Sequence, residues 1–79
     1  MSLAAASDLI VPSPDEVHLT DRERKVLKLL VKGMSNKQIG KELNRSPFTV
    51  RHHVSQLIKK LEAANRAEVA AIAVERGLA

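Results

Sequence analysis

The chain of 79 residues contains no cysteine, tryptophan or tyrosine, and Phe48 is its one aromatic residue. Without cysteine it can form neither a disulfide framework nor a thiolate zinc site. Its core must therefore be built from aliphatic side chains and alanine. No apolar run approaches the roughly 20 residues that span a bilayer, and no basic start with an apolar middle marks a signal peptide. We expect one small, soluble, cytoplasmic, all-helical domain.

Acidic residues are scarce in the middle of the chain. The net charge is +4, and all 13 Lys and Arg residues lie at or after Arg22. From Ser35 to Lys60 there are six basic residues and a single acidic one, Glu42. Because a solvated surface normally mixes both signs, this segregation favours a polyanion, such as nucleic acid, as the partner.

The first two predicted helices each begin with a capping box. Thr20 is followed three residues later by Glu23, and Ser35 by Gln38, so side chain and backbone can satisfy each other at both starts. Gly33 ends the first helix, because glycine readily takes the left-handed conformation found after a helix. Residues 1–17, rich in Ala, Ser and Pro, are predicted to be a flexible linker or tail before a domain at residues 18–79.

The third predicted helix, residues 46–61, carries the strongest functional signal. Ser46 can cap it, and Pro47 stands at the first helical position, where proline is favoured. An apolar stripe at intervals of four, three and four residues faces the core: Val50, Val54, Leu57 and Leu61. Between these positions are groups that can bind phosphates or read base edges: Thr49, Arg51, His52, Ser55, Gln56 and Lys59. We expect Phe48 to pack in the core or against the turn rather than on a base.

A last helix is predicted after the capping residue Asn65, at about residues 66–75, and it is apolar around much of its circumference. One side of this helix must face the core. The small side chains of the other side would let a second subunit approach closely.

Within the second helix, Gly40 indicates a close approach by the helix that follows, since glycine inside an exposed helix costs about 1 kcal/mol.

The segments LTDRERKVLKLL, SNKQI, TVRHH and KKL, with Gly33 and Asn65-Arg66, occur in this order between residues 19 and 66. In these segments and their order, the chain resembles the LuxR/NarL-type helix-turn-helix domain of bacterial transcription regulators. The resemblance implies an all-α, four-helix fold with a flexible N-terminal arm. It also implies sequence-specific binding of double-stranded DNA by the C-terminal output domain of a larger regulator, such as a response regulator. Two positions depart from the pattern: Gly40 replaces the usual alanine, and Glu62 a frequent glycine.

The resemblance also indicates which residues contact DNA and which form the dimer. The helix at 46–61 would enter the major groove, where the base-contacting positions correspond to Arg51, His52 and Ser55, with Thr49 and Gln56 beside them. Phosphate contacts are expected from Ser35, Asn36, Lys37, Arg45, His53, Lys59 and Lys60. The last helix would form a homodimer on DNA, and the residues expected at that contact are Val69, Ala70, Ala73 and Val74.

Other functions fit the sequence less well. Adjacent His52 and His53 point about 100° apart on a helix, so no metal site is predicted. No nucleophile signature or glycine-rich phosphate loop is present, so neither a cofactor nor enzymatic activity is expected. The last region of bacterial sigma factors, which works with RNA polymerase, shares the LTDRERKVL-to-TVR pattern, but Asn65-Arg66 favours the LuxR/NarL type. A helical protein-interaction module is a further alternative, which the basic third helix disfavours.

Overall fold

The structure, a computed structural model, describes residues 17–79 as four α-helices with no strand in that range. The helices are α1 (Asp21–Val31), α2 (Asn36–Leu43), α3 (Pro47–Lys60) and α4 (Arg66–Glu75). The predicted all-α, four-helix fold is confirmed. The predicted linker lies outside the described residues except for Val17, which packs against the core.

The start of each helix follows from its capping residue. In α1 the N–H of Glu23 donates to Thr20 Oγ1 at 3.1 Å, and the N–H of Thr20 donates to Glu23 Oε1 at 2.9 Å. The same reciprocal pair joins Ser35 and Gln38 before α2, at 3.1 and 2.8 Å. Each bond satisfies a backbone N–H that the helix itself leaves unpaired. Both predicted capping boxes are confirmed.

The last two helices are capped more simply. Ser46 Oγ accepts from the N–H of Thr49 at 3.1 Å, with Pro47 opening α3 as predicted. Asn65 Oδ1 accepts from the N–H of Glu68 at 2.9 Å at the start of α4. These short-range bonds fix where α3 begins, and therefore which of its residues lie on its exposed side.

The helices end in left-handed residues, and one of these is a glutamate. Gly33 has φ +87° and Gly77 has φ +67°, as glycine after a helix commonly does. Asn44, at φ +58°, turns the chain between α2 and α3, and asparagine tolerates this conformation. Glu62, at φ +52°, occupies the place where the resembled family often has glycine. The third helix still ends where predicted, but with a strained residue after it.

The core is aliphatic, as the composition predicts. The predicted stripe of α3 is almost wholly buried, with exposures between 0 and 6%. It packs with buried residues of the other helices into one cluster: Val26, Leu27, Leu30, Ile39, Val50, Val54, Leu57, Leu61, Val69 and Ala73. The burial of Val50, Val54 and Leu57 fixes the rotation of α3 about its axis, so the opposite side of that helix must face outward.

Gly40, inside α2, packs against the turn that leads into α3. A Cβ added there would lie 2.5 Å from the carbonyl oxygen of Arg45 and 3.4 Å from the backbone nitrogen of Pro47. The N–H of Arg45 donates to the carbonyl oxygen of Gly40 at 2.7 Å. The predicted close approach is therefore confirmed, and it is made by the turn and the first residue of α3. It brings the start of α3 tightly against α2.

Candidate nucleic-acid interface

The outward side of α3 gathers most of the predicted base-contacting residues. Thr49, Arg51, His52 and Ser55 line one shallow groove together with Phe48. Arg51, His52 and Ser55 are exposed and point away from the buried stripe. From Ser46 to Lys60 the chain contains no acidic residue. This surface therefore offers hydrogen-bond donors and positive charge without a competing carboxylate of its own helix.

Two of the predicted base-contacting residues, Thr49 and Gln56, lie at the side of this surface. Thr49 is half-buried, and its hydroxyl lies 3.0 Å from the hydroxyl of Ser46. Gln56 is also half-buried and is not part of the groove. The structure thus gathers Thr49 and three other predicted residues around the groove, and leaves Gln56 outside it.

The expectation for Phe48 is wrong. Its side chain is 76% exposed, the highest value among the large exposed hydrophobic residues of the described chain, and it lies in the groove beside Arg51 and His52. Helical spacing explains the position, because residues 48, 51, 52 and 55 share one face while Val50 and Val54 occupy the other. The helical spacing could have predicted the exposed position of Phe48, whereas its hydrophobicity alone indicated the core.

The start of α2 provides a second set of donors. Ser35 and Lys37 are exposed, and Asn36 is half-buried. The backbone N–H groups of Asn36 and Lys37 have no partner within residues 17–79, since the capping box satisfies only Ser35 and Gln38. Free N–H groups at a helix start are well suited to bind a phosphate oxygen.

Arg66 holds this second set in place. Its guanidinium donates through Nη1 to Asn36 Oδ1 and through Nη2 to the carbonyl oxygen of Met34 at 2.6 Å. The side chain of Arg66, at the start of α4, thereby fixes the position of the loop that leads into α2. The amide oxygen of Asn36 is occupied, so only its NH₂ group remains for a phosphate. No local pattern in the sequence marks this role of Arg66, because its partners lie 30 and 32 residues away.

Two neighbouring lysines at the end of α3 have different surroundings. Lys60 Nζ donates to Glu23 Oε1 at 2.6 Å and to the carbonyl oxygen of His18 at 3.1 Å. The carboxylate of Glu23 is only 6% exposed, so this ion pair is partly buried. Lys59 is exposed and forms no ion pair within the described residues. The charge of Lys60 is thus paired inside the domain, so Lys60 is less suited to the expected phosphate contact than the exposed Lys59.

The Glu23–Lys60 pair changes the pKa of Glu23. Burial raises the pKa of Glu23, but the hydrogen bonds from Lys60 and Thr20 and the charge of Lys60 outweigh it, so the pKa lies below its usual value of 4.5. Glu23 is the one buried charged residue of the described chain.

His53 and Arg45 line a cavity of about 160 Å³ among α1, α2 and α3, together with Arg22, Lys25 and three apolar side chains. His53 is half-buried there, and Arg45 is exposed. The pKa of His53 is lowered by burial first, and then by the charges of His52, Arg22 and Arg45, which outweigh Glu23. A neutral ring can still donate one hydrogen bond to a phosphate.

The four residues predicted for dimerisation fall into two groups. Val69 and Ala73 are 0% exposed and belong to the core of the domain itself. For these two the prediction is wrong, because an amphipathic helix of a small domain must first cover its own core. Ala70 is half-buried, and Val74 is 64% exposed. Of the four predicted residues, only these two remain available to a second subunit.

The described residues provide no other recognisable site. Within residues 17–79 no three His, Asp or Glu side chains come together in a way that could hold a metal ion. In the same range no helix is long and apolar enough to cross a membrane.

Comparison with known proteins agrees with this geometry. Residues 17–73 match the family described as bacterial regulatory proteins, luxR family. The chain is 48% identical to the transcriptional regulatory protein YvfU of Bacillus subtilis, over 80% of this chain and 32% of YvfU. It is 42% identical to the transcriptional regulatory protein DesR of the same organism, over 75% of this chain and 30% of DesR. The chain thus spans about a third of the length of these curated relatives.

The fold is also found in solved structures. The VqmA protein of Vibrio cholerae, in a complex with a ligand and DNA, superposes with a TM-score of 0.77 at 28% identity, over 95% of this chain and 31% of VqmA. The family match, the relatives and the helix-turn-helix geometry agree: the chain belongs to the LuxR family of bacterial regulatory proteins and is a DNA-binding domain of the kind found in transcription regulators.

Proposed function

We propose that this domain regulates transcription by inserting α3 into the major groove of double-stranded DNA and reading base edges with its exposed face. One observation carries the proposal. The burial of Val50, Val54 and Leu57 turns the acid-free side of α3, with Arg51, His52 and Ser55, away from the protein. The major groove admits an α-helix and presents a distinct donor and acceptor pattern for each base pair.

Among the base-contacting residues, Arg51 has the leading role. Its guanidinium can donate two parallel hydrogen bonds to guanine O6 and N7, a pairing worth about 1–3 kcal/mol of discrimination. His52 and Ser55 lie one residue and one helical turn away on the same exposed face and read the neighbouring bases. Thr49 and Gln56 lie at the edge of the face and have the secondary role.

Phosphate contacts flank this face on two sides. The start of α2 supplies the N–H groups of Asn36 and Lys37 and the side chains of Ser35 and Lys37. Arg45 in the turn and Lys59 at the far end of α3 supply positive charge, and His53 adds a hydrogen bond. Each phosphate neutralised by a cation releases counterions, so the affinity should fall with salt at a log–log slope of about −0.9 per contact.

A homodimer on DNA would use the exposed part of α4. Ala70 and Val74 leave a small apolar strip there, and the resembled family commonly dimerises through this helix. Two subunits would read half-sites about one helical turn apart. Replacing Val74 by glutamate should lower the affinity for a double half-site and leave that for a single half-site unchanged. An equal loss on both would contradict dimerisation through α4.

We infer that this domain acts within a larger regulatory protein. The chain spans about a third of its curated relatives, which supports an output domain joined to a regulatory domain. A regulator that binds chromosomal DNA acts in the bacterial cytoplasm, and we assign it no enzymatic activity. RNA polymerase is a partner that a transcription regulator can contact after binding DNA.

The decisive experiment is selection of binding sites from random double-stranded DNA, with the wild type beside Arg51→Ala. The wild type should enrich one motif, and Arg51→Ala should lose the preference at one base pair of each half-site. Lys59→Ala, the matched control, should weaken binding about equally for all sequences. Enrichment of no motif, with weak and salt-sensitive binding, would refute sequence reading and favour a protein-interaction module.

A further inference from the structure

The aromatic ring of Phe48 is an exposed apolar group in the middle of a cationic surface. The chain has one aromatic residue, and it is 76% exposed to solvent although the core is wholly aliphatic. Phe48 cannot join that core without breaking α3, because Val50 and Val54 hold the opposite side of the helix in place. The ring therefore faces whatever the groove of Phe48, Thr49, Arg51, His52 and Ser55 receives.

The position of Phe48 within α3 is informative. It is the second residue of the helix, directly after Pro47, and so lies in the turn whose side chains reach bases when a recognition helix docks. Arg51 and His52 follow at three and four positions, and therefore lie next to Phe48 on the same face. A base that contacts Phe48 would adjoin the base pair that Arg51 reads.

The major groove offers one prominent apolar group to such a ring. The C5-methyl of thymine projects into the groove, and phenylalanine is among the side chains that contact it. We propose that Phe48 is a specificity-determining residue that reads the methyl group of a thymine next to the base pair read by Arg51. This inference rests on the proposed docking of α3 in the major groove.

The surroundings favour DNA over a protein as the occupant. A protein partner that covered the ring would also bury the charge of Arg51 and would have to supply the carboxylate that pairs with it, since α3 carries none. In the major groove the ring meets a methyl group while the guanidinium meets acceptors, so both are satisfied at once. The capping bond that Ser46 Oγ accepts from the N–H of Thr49 also holds the first turn, and thus Phe48, in a fixed place.

The test uses an operator obtained by selection and replaces each thymine in turn by deoxyuridine, which removes only the methyl group. At one position in each half-site the wild type should bind the deoxyuridine duplex about three- to fivefold more weakly, the effect expected for one buried methyl. Phe48→Ala should bind the two duplexes equally. Arg51→Ala should retain the difference, because its own contact is to the neighbouring base pair.

Several outcomes would overturn the proposal. A deoxyuridine effect that persists in Phe48→Ala would show that another residue reads the methyl, and a selected site without thymine would show that none is read. Unchanged DNA binding of Phe48→Ala, with a changed oligomeric state in sedimentation, would mean that the ring covers a protein contact. Selection of no site by the wild type would instead refute the docking itself, and is therefore distinguishable. Thermal melting of Phe48→Ala, expected to match the wild type, verifies that the variant is folded.

Discussion

The adjacent residues Lys59 and Lys60 allow one precise test of how charge is used in α3. Lys60 donates to the carboxylate of Glu23 at 2.6 Å and to the carbonyl oxygen of His18 at 3.1 Å, whereas Lys59 is exposed and forms no ion pair within residues 17–79. Replacing each lysine by methionine removes the charge and keeps a flexible apolar stem of similar reach. The two variants lose the same charge at neighbouring positions of one helix.

The loss of stability expected for Lys60→Met follows from the burial of its ion pair. Exposed ion pairs contribute about 0–1 kcal/mol, and breaking a fully buried pair costs about 3–5 kcal/mol. The Glu23 carboxylate is 6% exposed and the Lys60 side chain 33%, so this pair lies between those limits. Lys60→Met should lower the free energy of unfolding by about 2 kcal/mol, or the melting temperature by about 8–16 °C for a domain of this size. Lys59→Met should stay within about 0.5 kcal/mol of the wild type.

The same pair predicts a pH dependence with a definite sign. The pKa of Glu23 is lowered in the folded state, so its stabilisation is complete above 4.5 and is lost as the pH falls through the folded pKa. The stability gap between the wild type and Lys60→Met should therefore narrow in acid. Urea denaturation at neutral pH and at successively lower pH values measures this gap.

DNA binding should show the opposite ranking. Lys59→Met should reduce the steepness of the salt dependence by about 0.9 for each bound domain, and Lys60→Met should leave it unchanged below its melting temperature. Equal stability of the two methionine variants would refute a stabilising role for the ion pair. A shallower salt slope in Lys60→Met would show that Lys60 does contact a phosphate.

Three further substitutions test other local features by urea denaturation. Glu62→Gly should raise the free energy of unfolding by about 0.5–1 kcal/mol, since φ +52° strains a residue with a Cβ, although glycine also loosens the unfolded chain. The pKa of His53 is lowered by burial, so folding keeps the ring neutral and loses stability as the pH falls below 6.5. His53→Gln should make the stability less dependent on pH in that range. Arg66→Met should cost about 1–2 kcal/mol, because two acceptors lose their charged donor.

Each of these variants has its own contrary result. Glu42→Gly, at an exposed position inside α2, should be destabilised by about 1 kcal/mol, so a similar loss in Glu62→Gly would argue against strain. An unchanged pH dependence in His53→Gln would show that burial of this ring does not affect stability. Arg66→Lys keeps the charge but lacks the planar fork, and should recover only part of the loss. Full recovery would show that charge alone matters.

Local features of this fold are predictable from the sequence because their causes are close along the chain. The capping boxes of Thr20 and Ser35 involve residues three positions apart. The stripe of α3 requires only the helical period, and it fixed the face on which Arg51 lies. The same period places Phe48 on that face, and the prediction for Phe48 failed because general hydrophobicity was preferred to spacing.

The features that the sequence did not reveal depend on residues far apart in the chain. Lys60 and Glu23 are separated by 37 positions, and Arg66 and Asn36 by 30. Nothing local distinguishes Lys60 from Lys59, since both are basic residues in the last turn of α3. Which side of the alanine-rich helix α4 faces inward is equally hard to predict, because most of its positions are apolar and only the packing decides between them.

Nuclear magnetic resonance of the domain with its selected duplex would show whether α3 enters the DNA. On titration, the backbone amide signals of residues 48–56 and 35–37 should shift most, and those on the inward side of α1 least. A scrambled duplex of equal length should give smaller, more uniform shifts at the same salt concentration. Contradiction would come from the largest shifts falling in α1 or α4 while the amides of α3 stay in place.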